Sequence, residues 1–171
     1  MINYHNITKD DMNNGEGVRV VLWVAGCEHH CPECHNPETW HIFSGIPFDD
    51  EALEELKTEL RKDYVSGITF SGGDPLSSWN RKTIYYLMRL LKKEFPDKNV
   101  WVYTGYTYEE LLDDLKDAEI WGILNMCDVL VDGKYIKDLR DTSLKWRGSS
   151  NQRVIDVKRS LATNVVTLHC D

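Results

Sequence analysis

The chain has 171 residues, enough for one domain with its own core and near the usual size of a single unit, so residues 1–171 are read as one domain. Apolar residues make up 42% and charged residues 28%, proportions typical of a soluble globular protein that argue against disorder. With 20 Lys and Arg against 28 Asp and Glu the net charge is -8, which disfavours nonspecific attraction to nucleic acid or to anionic lipid.

The N-terminal stretch "MINYHNITKDDMNNGEG" has neither a basic flank nor an apolar core of a targeting signal. No run approaches the roughly 18 apolar residues of a membrane span. A cytoplasmic protein with neither nucleic acid nor membrane as partner is expected. "VRVVLWVA" (Val18 to Ala25) is too continuously apolar for a half-exposed strand and predicts a strand covered on both faces. "DDEALEELKTELRKD", with Asp49 and Asp50 at its start and Leu53, Leu56 and Leu60 at helical spacing, predicts an amphipathic helix. "GITF" reads as a short strand ending at a Gly-Gly turn. "WNRKTIYYLMRLLKKEF" reads as a helix with Ile84, Leu87, Leu90 and Leu91 on one side, stopped by Pro96. Strand "NVWVYT" (Asn99 to Thr104), helix "TYEELLDDLKDAE", strand "DVLVDG" and late strands "RVIDV" and "NVVTLH" complete the pattern.

Alternating strands and helices predict parallel strands joined by right-handed crossovers, an α/β fold that is open or barrel-like. A full eight-unit barrel usually takes about 250 residues, so a shortened, open (partial) TIM-like barrel of parallel strands with crossover helices is expected. Sites in such folds gather at the C-terminal ends of the strands. Four motifs obey that rule: "GCEHHCPEC" after the first strand, "SGGDP" after the second, "TGY" after the third and "DGK" after the fourth.

Three of the five cysteines lie within eight residues, in the order C-x3-C-x2-C. In a reducing cytosol that crowding points to metal or redox chemistry rather than to a disulfide framework. A structural zinc site usually takes two separated ligand pairs, and here His29, His30 or His35 would have to supply the fourth ligand. A thiol-exchange site would use Cys31 and Cys34 and leave Cys27 unexplained. Three thiolates from one loop can instead hold three irons of a 4Fe-4S cluster and leave the fourth open to a ligand. Cys127 and Cys170 stand apart and read as a small buried hydrophobe or a free thiol.

The C-x3-C-x2-C loop after a first strand resembles the signature of radical S-adenosylmethionine enzymes. "GGDP" (Gly72 to Pro75) resembles that family's GGEP-type turn, and "DGK" (Asp132 to Lys134) stands where relatives that activate glycyl-radical enzymes carry a polar strand-end motif. "NGEGVRVVLWVAGCEHHCPECHNPETW", "TFSGGDPL", "VYTGYTYEEL", "VLVDGKY" and "RGSSNQRVID", spread over about residues 14 to 157, together resemble the activators of anaerobic ribonucleotide reductases.

The resemblance implies a 4Fe-4S cluster on Cys27, Cys31 and Cys34, with the amine and carboxylate of S-adenosyl-L-methionine on the fourth iron. It implies that Gly72, Gly73 and Asp74 recognise the methionine amine and carboxylate, although spacing alone equally allows a tight turn with Asp74 capping a helix. Asp132 and Lys134 would take ribose hydroxyls and the carboxylate, or form an ordinary turn. Tyr103 and Thr104, at a strand end on the same mouth, would contact the cofactor, or Tyr103 would serve the core or a turn. Glu33 and His35 would touch the adenine through their backbone; many relatives carry an aromatic residue where this chain has Glu33. His29 and His30 would tune the cluster or be solvated loop residues, Trp40 would pack on the loop, and "RGSSNQR" would line a docking surface or close the sheet edge.

The implied partners are the large subunit of an anaerobic ribonucleotide reductase, as protein substrate, and a low-potential electron donor such as flavodoxin or ferredoxin, with a homodimer as a further possibility. The rival readings are an activator of another glycyl-radical enzyme, a small-molecule radical S-adenosylmethionine enzyme, and a zinc-binding interaction module.

Overall fold

A computed structural model describes residues 1–114 and 116–170. Four parallel strands form its centre: β2 (Val18–Val24), β4 (Val65–Gly72), β5 (Asn99–Tyr103) and β6 (Val129–Asp132). Helix α1 (Asp50–Leu60) precedes β4, α2 (Arg81–Glu94) joins β4 to β5, and α3 (Tyr108–Asp113) and α4 (Ala118–Met126) join β5 to β6.

The sheet is nevertheless mixed, which corrects the expectation of parallel strands throughout. β1 (Asn3–Asp11) runs antiparallel to β2, β3 (Ile46–Pro47) antiparallel to β1, and β7 (Arg153–Asp156) antiparallel to β6. The order is β3-β1-β2-β4-β5-β6-β7, and β3 and β7 do not meet. For β1, connection length explains the direction. A parallel neighbour needs a crossover of a dozen or more residues, whereas β1 returns into β2 through a short turn, residues 12–17.

The two faces of β2 are both covered, as its sequence predicts. Val20, Leu22 and Val24 join Phe70, Val102, Leu130 and the helices in the larger core, while Trp101, Val129, Val131 and Val154 pack on the other face. That second face also buries Arg19 completely. Its Nε donates to Thr69 Oγ1 at 2.7 Å, its Nη2 to the Ile68 carbonyl at 2.8 Å, and its guanidinium lies 5.3 Å from the centre of the Trp101 ring. Burial pulls its pKa down to about 10.

Helix boundaries follow side-chain caps. The Asp49 carboxylate accepts from the Ala52 N–H at 2.9 Å to start α1. Met88, not Leu90, completes the buried stripe of α2 with Ile84, Leu87 and Leu91; Leu90 is exposed. The single helix expected over Thr107 to Glu119 is two, because a Thr107/Glu110 capping box opens α3 and Asp117 separately caps α4. That predicted span includes Leu115, which lies outside the described residues. "RVIDV" forms β7 and leads into α5 (Val157–Thr163), whereas "NVVTLH" contributes only the isolated bridge between Leu168 and Ile155. No described helix is long and apolar enough to cross a membrane.

Candidate functional site

The C-terminal ends of the four parallel strands open onto one cavity of about 540 Å³. From the segment after β2, Cys27, Cys31, Cys34 and His35 line it. The end of β4 contributes Gly72, Gly73 and Asp74, the end of β5 Tyr103 and Thr104, and the turn after β6 Gly133 and Lys134. Ten of the twelve residues singled out in the sequence therefore meet at one place, although they span more than a hundred positions.

Asp132 and Glu33 do not line this cavity. The Asp132 side chain is 1% exposed and bound internally, by Arg153 Nη2 at 2.6 Å and by the Tyr108 N–H at 2.8 Å. Asp132 and Lys134 thus fail to share a side as expected: Gly133 between them has φ +91° and turns the chain. Glu33 is exposed, has φ +56° and pairs with Lys137.

Glycines shape the turn after β4 because two backbones touch there. The Gly73 N–H donates to the Val24 carbonyl at 2.8 Å and the Asp74 N–H to the Gly26 carbonyl at 2.7 Å. A Cβ on Gly73 would collide with the Gly26 carbonyl, so close approach alone requires glycine at 73. Asn80, fully engaged beneath the turn, donates to the carbonyls of Ala25 (2.8 Å) and Asp74 (2.9 Å).

The Asp74 carboxylate is the hub of the site. It accepts from the Leu76 N–H (2.8 Å), the Thr104 hydroxyl (3.0 Å) and the Gly105 N–H (3.0 Å), and pairs with His29 Nε2 at 2.7 Å. Spacing suggested a cap or a ligand contact; the carboxylate in fact binds three loops together. His29 is not a solvated loop residue. Its ring is buried against Asp74 and sits edge-on to Tyr106, ring centres 4.5 Å apart. His30 stacks on Trp40 at 4.6 Å, so Trp40 does pack on the loop.

All five cysteines are free. Burial pushes the Cys27 thiol up to about 11 and raises Cys31 as well; the Tyr135 N–H and the Lys134 ammonium pull Cys31 the other way. Cys127 is fully buried in the larger core and Cys170 packs beside the smaller one, the bland reading given to both.

A family model described as a 4Fe-4S single cluster domain matches residues 13–155. An anaerobic ribonucleoside-triphosphate reductase-activating protein of Escherichia coli strain K12 is 43% identical over 155 residues, covering 90% of this chain and 97% of that one. The protein of the same name from Enterobacteria phage T4 is 44% identical over 153 residues, with 90% and 93% covered. That of Haemophilus influenzae is 40% identical, with 88% and 96% covered. This chain belongs to the family of anaerobic ribonucleoside-triphosphate reductase-activating proteins.

The donor set of this activating-protein family member fits an iron-sulfur cluster. Three unpaired thiols of one loop open into one cavity, and thiolate sulfur is the ligand such clusters take. Among the described residues no three His, Cys, Asp or Glu side chains converge at the spacing of a single metal ion. Trp40 Nε1 and Arg147 Nε, on two residues that line the cavity, are buried without an acceptor among the described residues.

Sequence reasoning missed the floor and the far wall of the cavity. Asn13 and Asn14 reach it from the β1–β2 turn, and Tyr135, Trp146, Arg147 and Gln152 from the segment before β7. "RGSSNQR" was one signal, but its polarity alone did not say where it folds; Asn14 and Tyr135 stood at the ends of quoted stretches and were not singled out.

Proposed function

We propose that this chain is an activating enzyme that reductively cleaves S-adenosylmethionine at a 4Fe-4S cluster and generates a glycyl radical on the large subunit of an anaerobic ribonucleotide reductase. The observation that carries the reading is the meeting of Cys27, Cys31 and Cys34 with the Gly72–Asp74 turn and Lys134 around one cavity. The open sheet is read as a shortened, open barrel whose unclosed side admits the glycyl segment.

A cluster held there would supply one low-potential electron, drawn from a donor such as a flavodoxin or ferredoxin, for the reductive cleavage of S-adenosylmethionine that leads to removal of a hydrogen atom from the glycine Cα. The residues of the chain bind and orient. Cys27, Cys31 and Cys34 would hold three irons and leave the fourth to the amino acid end of the cosubstrate. The backbone of Gly72 and Gly73, bare of Cβ atoms, lets that end approach. Lys134 would neutralise its carboxylate, and His35 and Tyr135, with ring centres 4.7 Å apart, would flank the adenosyl end. Asp74 acts from beneath, holding the loops in register rather than touching the ligand.

The test is electron paramagnetic resonance of anaerobically reconstituted, dithionite-reduced protein with and without S-adenosylmethionine. A 4Fe-4S signal that changes with the cosubstrate and disappears in Cys27→Ala supports the reading; glycyl radical on the reductase, rather than on another glycyl-radical enzyme, identifies the substrate. Stoichiometric zinc with no such signal would make this a zinc-binding module instead.

A further inference from the structure

Backbone pairing between β6 and β7 ends at Asp132 opposite Arg153. Beyond that point the hydrogen bonds continue through side chains. Arg153 Nε and Nη2 hold the Asp132 carboxylate at 3.1 and 2.6 Å, Gln152 Nε2 donates to the Gly133 carbonyl at 3.0 Å, and Asn151 Nδ2 donates to the Lys134 carbonyl at 2.7 Å. Ser149 Oγ then accepts from the Ile136 N–H at 3.2 Å. Residues 153, 152, 151 and 149 thus meet 132, 133, 134 and 136 in antiparallel order. Gly133 at φ +91° swings the chain off the ladder, so main-chain groups no longer reach and the side-chain amides replace them.

Gln152 is itself fixed. Its Oε1 accepts from the N–H groups of Gly148 (3.0 Å) and Ser149 (3.1 Å), so the amide cannot turn away from Gly133 without leaving two donors unpaired. The segment it holds faces the cysteine loop: the Tyr135 ring lies against His35, and Lys134 lines the cavity.

We propose that Asn151 and Gln152 are positioning residues that carry the β6–β7 ladder past its end and so hold Lys134 against the cosubstrate carboxylate. This rests on the proposed S-adenosylmethionine reading. Removing one amide releases the turn without touching a cysteine.

Asn151→Ala, Gln152→Leu, Lys134→Ala and the double variant Lys134→Ala/Asn151→Ala are reconstituted, and S-adenosylmethionine binding is measured by equilibrium dialysis alongside iron content. Asn151→Ala is expected to weaken binding about three- to tenfold, the worth of one hydrogen bond, at wild-type iron content. The double variant should bind no more weakly than Lys134→Ala, because Asn151 acts through Lys134.

Additive losses in the double variant, or unaltered affinity in both single amide variants, would overturn the positioning role while wild-type binding stands. Wild-type protein that holds a cluster and binds no S-adenosylmethionine would overturn the underlying reading and the Lys134 part with it.

Discussion

His29 Nε2 lies 2.7 Å from Asp74 Oδ2, and the two side chains, 7% and 1% exposed, tie the cysteine loop to the turn after β4. His29→Ala removes one of the four partners of a buried carboxylate, at a cost of about 1–3 kcal/mol. Asp74→Ala should cost more, since the donors of Leu76, Thr104 and Gly105 are orphaned together. Urea unfolding of the metal-free proteins ranks them; equal stability of His29→Ala and wild type would show that the contact is idle.

Gly73→Ala should be a damaging single-methyl change near the site. Its Cβ meets the Gly26 carbonyl, which is backbone and held by Asp74 N, so nothing flexible can give way. The expected loss is about 1–3 kcal/mol, as for overpacking, and with it the approach of the cysteine loop to the β4 end. Iron uptake during reconstitution, compared with an equally destabilised core variant such as Ile123→Val, separates the two effects: only Gly73→Ala should take up less iron.

Asp132 and Arg153 form the partly buried pair at the β6–β7 end, with Glu109 as a second, exposed partner of Arg153. Arg153→Leu leaves the Asp132 carboxylate buried with only the Tyr108 N–H, and should cost about 3–5 kcal/mol. Asp132→Asn in the same chain removes the uncompensated charge, so the double variant should be more stable than Arg153→Leu alone. A thermal melt of the three proteins checks the order.

How far the sequence carried the fold depends on where each residue's partners lie. Val18–Val24, the capped start of α1 and three of the four residues expected on the α2 stripe are set by neighbours within a turn or along a strand, and these were legible. β1 was not: it is polar, and a register shift between Tyr4 and Asn6 puts Tyr4 and Ile7, three apart, on the buried side, so no period of two survives. At the site, the cysteine spacing and strand-end motifs named ten of the cavity's lining residues because the topology of an α/β sheet brings strand ends together. Asp132 was misread because its partner, Arg153, lies twenty-one positions away, and Asp74 because a short acidic turn looks the same whether its carboxylate faces a ligand or three backbone loops.

Cys27 should show the burial of the loop in its reactivity. Its ordinary value near 9 is raised to about 11, so at pH 8 the thiolate fraction, and with it the alkylation rate, should be ~100-fold below that of an unshifted thiol. The unfolded thiol ionises first as pH rises, so the metal-free fold loses stability between pH 9 and 11, with Cys27→Ala relieved of that loss. A metal reverses the balance: thiolate binds and thiol does not, so loading at pH 8 releases the Cys27 proton and tightens as pH rises. Alkylation mapped by mass spectrometry from pH 7 to 11, with and without reconstitution, tests both signs; a Cys27 rate that levels off near pH 9 would mean that the loop is open to water before metal enters.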